Sequence, residues 1–384
     1  MEKLRGLIII LVVFVICASA TEAAECTYKI EKGLMDQVLN QDLEKFDEYL
    51  EQFDSQRALI KSRDFYQALF AWYQGYQSQD IKTKRQALNQ LIKAVDEIED
   101  GDHGDSAVKL SNAIANAVLT RLLLEDDRPI SAYSRFTPAY QTLKSILAEL
   151  SPDAFGYYEL IYFQGLVELH LNTPELRNHW LVREVVDLGK HPDGKGKLIT
   201  SIQQGGIFAT EAFRSLLTES PWRIPAACGF LEAANSFSEN FPGNFDLARI
   251  NLGLLIRCGH TFQGQTVLAK YFELFADQPI LVKELTKAQY RIWANQGAVS
   301  NLEVEGVYSE LEYHRLIALG NALDASGERQ KATTTYQNIL NRKQGEAGAR
   351  KIAHKVARTR IDFPFIPARR VLAKQTRLRP ARCQ

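Results

Sequence analysis

The stretch from Leu316 to Ile339 limits the fold more than any other part of the chain. Leu316, Leu319, Gly320 and Leu323 fall at i, i+3, i+4 and i+7, the spacing that lines one face of a helix. Gly327 then offers a turn, and Ala332, Tyr336 and Ile339 set a second apolar stripe beyond it. Gly320 and Ala332 are small where two packed helices come closest. Such a pair cannot bury both of its faces by itself, so it predicts neighbours of the same kind. Nearly every segment longer than a dozen residues carries the helical period, and no alternating β-branched run is long enough for a sheet. The class is all-α. A chain of 384 residues exceeds one ordinary core, yet no Pro/Gly/Ser linker divides it. Helix pairs stacked side by side resolve that tension, because such a stack lengthens without a larger core.

The periodicity predicts helices over Gln41 to Phe53, Asp64 to Gly75, Lys82 to Ile98, Asp105 or Ser106 to Leu124, Pro138 to Leu150, Tyr157 to Leu171 and Glu175 to Asp187. Four glycines make His191 to Gly206 read as a loop or hinge. Helices resume over Phe208 to Leu217, Pro225 to Phe237, Phe245 to Cys258, Gly264 to Phe275 and Ile280 to Asn295. Leu252, Gly253 and Ile256, then Gly264, Leu268 and Tyr271, repeat the pattern of the C-terminal pair with a shorter turn. Arg249 stands where a large apolar residue is usual.

These two units resemble the tetratricopeptide repeat, whose units run about 34 residues. The resemblance implies an α-solenoid of antiparallel helix pairs over residues 25–365. It also implies a concave face lined by first-helix residues turned out of the stack. Counted from Tyr313, those are His314, Ile317, Asn321 and Asp324, with Ile250, Leu254 and Arg257 in the looser unit. Asn321 falls where related domains hold a bound peptide backbone, but its sequence neighbours form no basic clamp for a terminal carboxylate.

At the N-terminus, Lys3 and Arg5 precede an apolar run from Gly6 to Ile16 and then Ala18-Ser19-Ala20, small residues of the kind a signal peptidase reads. Residues 1–20 therefore read as a secretory signal, which places the protein in the periplasm or outside the cell. An uncleaved membrane anchor is the other reading, against which the run is short of the ~20 residues a span needs. No later segment is read as a span. Ile16 before Cys17 and Glu25 before Cys26 argue against lipidation.

The chain is neutral as a whole, but its charge is unevenly placed. Eleven Lys and Arg lie between Arg350 and Gln384 against one acid, Asp362. Residues 366–384 form a basic C-terminal tail carrying Arg369, Arg370, Lys374, Arg377, Arg379 and Arg382. Its expected partners are the acidic body of the same chain or an anionic surface. Nucleic acid is disfavoured by the secretory signal and by the lack of a reading module.

Cys26, Cys228, Cys258 and Cys383 remain after the signal, an even number in an oxidising compartment. Cys228 begins one expected helix and Cys258 ends the next, so antiparallel packing sets them at one level as a candidate disulfide. Other chemistry stops short. Gly189 to Lys195 fits a phosphate-loop skeleton, but Gly196 stands where the Mg²⁺-holding Ser/Thr belongs, so no nucleotide is expected. Asp96, Glu97, Glu99, Asp100, Asp102, His103 and Asp105 crowd oxygen ligands, yet Ser111 replaces the closing glutamate of an EF-hand and no metal is expected. Glu219-Ser220 resembles the catalytic pair of lytic transglycosylases, whose downstream Gly-Leu-Met-Gln element is absent. None of the seven histidines sits in HExxH or faces a Gly-x-Ser-x-Gly elbow.

No catalytic residue and no cofactor is therefore assigned. The expectation is a noncatalytic adaptor or assembly factor of the cell envelope that binds a protein or peptide on its concave face. The alternatives are a soluble transport component that encloses an apolar small ligand, or a cell-wall enzyme using Glu219.

Overall fold

The computed structural model describes residues 28–99, 106–171, 193–219, 228–304, 309–344, 347–368 and 370. Every regular element among them is a helix, so the chain is all-α. It groups into two compact units, Met1–Ser220 and Pro221–Gln384.

The N-terminal unit comprises α1 (28–40), α2 (Leu43–Glu51), α3 (Arg63–Gln77), α4 (Ile81–Glu99), α5 (Ser106–Glu125), α6 (Pro129–Glu149), α7 (Tyr157–Leu171), α8 (Gly194–Gln204) and α9 (Ala209–Glu219). Successive helices pack in pairs, α3 on α4, α5 on α6 and α7 on α8. Ser62 starts α3 by accepting the Phe65 N–H, and the aromatic side that follows is core: Phe65, Tyr66, Trp72 and Tyr73 are all buried. Trp72 stacks on Tyr76 with ring centroids 5.3 Å apart. α5 is long and apolar enough to cross a membrane by length and composition, but 61% of its apolar window is buried inside the unit.

Polar groups fix α1 in place. Glu31, fully buried, accepts the N–H groups of Leu59 and Ile60 at 2.7 and 3.0 Å and the Tyr66 hydroxyl at 2.7 Å. Tyr28 donates to buried Glu159, which also accepts the Ile207 N–H, and Lys32 donates to the Gly205 carbonyl. Two loops distant in sequence are thereby tied to one helix. Burial pushes the Glu31 carboxyl up to about 7 and that of Asp36 up to about 6. Deeper in the unit, Arg121 meets Glu211 and Glu125, while Arg214 chelates Glu211 from one turn away. These buried charges are paired, as burial requires.

Two expectations fail here. Residues 194–204 are a helix, not a hinge: Asp193 caps it through the Gly196 N–H, and Gly205 ends it in the left-handed region. Of these glycines, Gly194 serves close approach, since a Cβ there would lie 2.6 Å from the Gly165 carbonyl oxygen of α7. Counting them as breakers overlooked a tight crossing. Likewise Pro138 does not begin α6, which starts nine residues earlier at Pro129 and carries Pro138 inside it. The expected helix over Glu175 to Asp187 lies outside the described residues.

The C-terminal unit comprises α10 (Leu231–Asn240), α11 (Phe245–Arg257), α12 (Thr261–Leu274), α13 (Pro279–Gln296), α14 (Val299–Glu303), a 3-10 turn (Ser309–Leu311), α15 (Glu312–Ser326), α16 (Arg329–Asn341) and α17 (Ala347–Asp362). From α11 onward the helices bury apolar residues against one another, in three successive clusters. Phe245, Leu252, Ile256, Leu268, Tyr271 and Leu285 make the first, Tyr290, Leu302 and Ala318 the second, and Tyr313, Ala332, Tyr336, Ile339 and Ala353 the third. Gly320 lies directly under the Tyr336 ring, where any Cβ would collide, and Ala332 is fully buried. Arg249, out of pattern in sequence, is exposed and pairs with Asp246, so its position needs no apolar side chain. Cys228 and Cys258 are joined by a disulfide that closes the stretch holding α10 and α11.

Candidate functional site

α13, α15 and α17 bound a hollow of about 370 Å³. From α15 it receives His314, Ile317 and Asn321, three residues expected on the open face. From α13 it receives Lys287, Tyr290, Arg291 and Asn295, and from α17 Ile352 and Val356. Lys287, Arg291 and Asn295 recur every four residues, so they form one polar stripe beside the His314, Ile317 and Asn321 stripe. The wall is thus apolar around Ile317, Tyr290, Ile352 and Val356, with amides at one end and cations at the other.

Each polar group has a definite state. Asn321 accepts the Tyr336 hydroxyl at 2.9 Å, which leaves its amide N–H groups as the part a ligand would meet. His314 is half-buried, and burial, then Lys287 and Arg291, hold its imidazole below the ordinary histidine value, against an opposing pull from Glu284. Lys287 is itself paired with Glu284 at 2.5 Å.

Asp324 does not stand on the open face. Its side chain is 1% exposed and accepts Arg329 at 2.9 Å, the Tyr336 hydroxyl at 3.1 Å and the Phe365 backbone N–H at 2.9 Å. Arg329 extends past it to the Arg360 and Ile361 carbonyls, which a helix end would otherwise leave without donors. Burial and this carboxylate push the Tyr336 phenol upward. In the looser unit Leu254 is 4% exposed and packs inward, Arg257 is exposed, Ile250 is half-buried, and the hollow receives Ile256 instead of these three.

The end of the hollow is occupied by the chain itself. After α17 the backbone runs without regular structure through residues 363–367, and Phe365 forms part of the wall. Its N–H meets Asp324, and the Ala368 N–H meets Asn295 Oδ1 at 3.1 Å. Arg360 lies over the Phe365 ring, 5.1 Å from its centroid. Asn295 and Phe365 were missed in sequence. The four-residue stripe on α13 was readable there, but its register against α15 was not.

Other candidates come apart. Asp96 pairs with Arg135 and Glu97 with Lys93, while the remaining acids of that loop lie outside the described residues or, for Glu99, have no described side chain. Among the described residues no group of three His, Cys, Asp or Glu could hold a metal ion. In the phosphate-loop lookalike Asp193 serves as a helix cap. Glu219 is the last residue of α9, and Ser220 lies outside the described residues. In the basic segment, Arg350, Lys351, Lys355, Arg358 and Arg360 belong to α17, and the Arg370 N–H donates to the Pro367 carbonyl. Arg369, Lys374, Arg377, Arg379 and Arg382 lie outside the described residues. Compared with protein families, curated proteins and solved structures, the chain matches none, so the groove's own chemistry is what bears on function.

Proposed function

We propose that the chain is a noncatalytic peptide-binding adaptor, with the hollow between α13, α15 and α17 as its binding groove. One observation carries this reading: the groove already holds a stretch of backbone without regular structure, through side-chain oxygens of Asp324 and Asn295 that accept two main-chain N–H groups. Main-chain capture of this kind accepts many sequences, and the apolar wall beside it selects among side chains. Ile352 is 63% exposed, so one side of the hollow faces water. That favours a chain-like ligand over an enclosed apolar small molecule. The pairs α11–α12 and α15–α16 support a tetratricopeptide-like stack within the C-terminal unit. The Cys228–Cys258 disulfide supports an oxidising compartment, in keeping with residues 1–20 as a secretory signal.

The test is selection of the full chain, disulfide intact, against a displayed library of random decapeptides. Selected peptides are expected to lose binding to an Ile317→Glu variant, which puts a charge on the apolar wall, and to bind a Lys93→Ala variant unchanged. Failure to select any peptide, or equal binding to Ile317→Glu, would overturn the reading.

A further inference from the structure

We propose that residues 363–368 are a displaceable resident ligand of this groove, and that the partner it awaits is an extended, proline-bearing segment with an aromatic residue and two N–H donors three residues apart. This rests on the peptide-binding reading and goes further, by naming the class of peptide and the competitor already in place.

The segment reads Phe363-Pro364-Phe365-Ile366-Pro367-Ala368. Prolines carry no N–H, so residues 364–368 offer three donors, and the groove meets two of them, at Phe365 and Ala368. A spacing of three is the repeat of an extended polyproline-type chain, which brings i and i+3 to one side. Phe365 fills the wall at the first of these positions, and Pro367 is buried just before the second.

The fit is incomplete. Phe363 and Ile366 remain 68% and 46% exposed, apolar side chains that a partner segment in a better register would bury. The point of departure is fixed separately, because Arg329 holds the Arg360 and Ile361 carbonyls at the end of α17. The strap can therefore lift without unwinding the helix before it. Tethering gives it an effective concentration in the millimolar range, enough to compete with an incoming peptide of moderate affinity.

The probe is a fluorescein-labelled peptide with the sequence of residues 362–370, read by anisotropy against the full chain. Ala368→Pro deletes one of the two donors and Phe365→Ala removes the ring, so the strap is weakened by independent routes. Each variant is checked by circular dichroism and melting, and either one alone carries the test. Both are expected to bind the probe about tenfold more tightly than the parent chain, and addition of Asn295→Ala should reverse the gain. Equal affinity for the parent and both variants would overturn the proposal. If library peptides bind at Ile317 but the probe binds no variant, the proposed peptide class is wrong while the peptide-binding reading stands. If neither binds, both fall.

Discussion

Glu31→Gln is expected to change the sign of its effect on stability between pH 5 and pH 8. Burial raises the Glu31 carboxyl from 4.5 to about 7, outweighing the three donors that favour its charged form. A carboxyl raised in the folded state contributes stability that is complete below its unfolded value and is lost as pH climbs through its folded value. The window here runs from about pH 4.5 to about pH 7. A shift of this size, at about 1.4 kcal/mol per unit, amounts to roughly 3 kcal/mol lost across that window. Glutamine has no such dependence.

At pH 5 the native carboxyl is protonated, and glutamine differs from it mainly by an N–H₂ turned toward the Leu59 or Ile60 N–H. One mismatched buried pair costs about 1–2 kcal/mol. At pH 8 the wild type has lost its ~3 kcal/mol and the variant has lost only the mismatch, so the variant becomes the more stable by about 1–2 kcal/mol. Asp36 titrates in the same direction in both proteins and cancels in the difference. The measurement is urea unfolding at half-unit pH steps, with hydrogen exchange of the Leu59 and Ile60 amides as the local reporter. A variant destabilised more at pH 8 than at pH 5 would refute the reasoning, because it would mean the three donors keep Glu31 ionised.

Three further outcomes test other parts of the structure. Cys258→Ser, or reduction of the parent, should lower the stability of the C-terminal unit by about 3–4 kcal/mol, the chain-entropy value for a loop of 30 residues, as read by urea unfolding with and without reductant. Gly194→Ala and Gly320→Ala should each cost about 1–3 kcal/mol through overpacking, the first against the Gly165 carbonyl and the second against the Tyr336 ring; melting as stable as the parent would show that these crossings are loose. In a proton-NMR titration His314 should protonate below the ordinary histidine value, and Arg291→Gln should move it upward.

The C-terminal helix pair was legible because its positions are set by contacts between its own two helices: Gly320 meets Tyr336 sixteen residues away, and Ala332 is small where α16 meets its neighbours. The Cys228–Cys258 pairing was legible for the same reason, since two adjacent helices bring their far ends level. Gly194 misled because glycine has two uses, freedom and closeness, and only the position of Gly165 on another helix decides between them. The candidate site divides along that line. His314, Ile317 and Asn321 came from the repeat resemblance, which counts positions within α15 only. Asp324 shares that count, yet it is buried by Arg329, Tyr336 and the strap, and the last of these arrives from 41 residues away. No local pattern announces such a visitor.

The energies of the strap favour an exchangeable contact over a fixed one. The N–H bond to the Asp324 carboxylate, which also faces Arg329, is worth about 1.5–3 kcal/mol and that to the Asn295 amide about 1. Half-burying Phe365 and burying Pro367 add about 2 kcal/mol. Against this, ordering a residue costs about 1–2 kcal/mol, which for Phe363 to Ala368 would reach roughly 6 or more in an ordinary chain. Here Pro364 and Pro367 have φ fixed in advance, and Phe363 and Ile366, each preceding a proline, are already confined to extended backbone. The cost falls to about 4 kcal/mol, and the closed state is favoured by only ~1–2 kcal/mol. Closed and open forms then stand at about ten to one, and a partner's apparent affinity is reduced by about that factor. The same prolines that make the strap inexpensive to order also keep it weak, because each lacks the main-chain N–H that a side-chain oxygen could accept. A partner needs little more than one additional well-placed N–H, or burial of a side chain in the place where Ile366 now meets water, to take the groove.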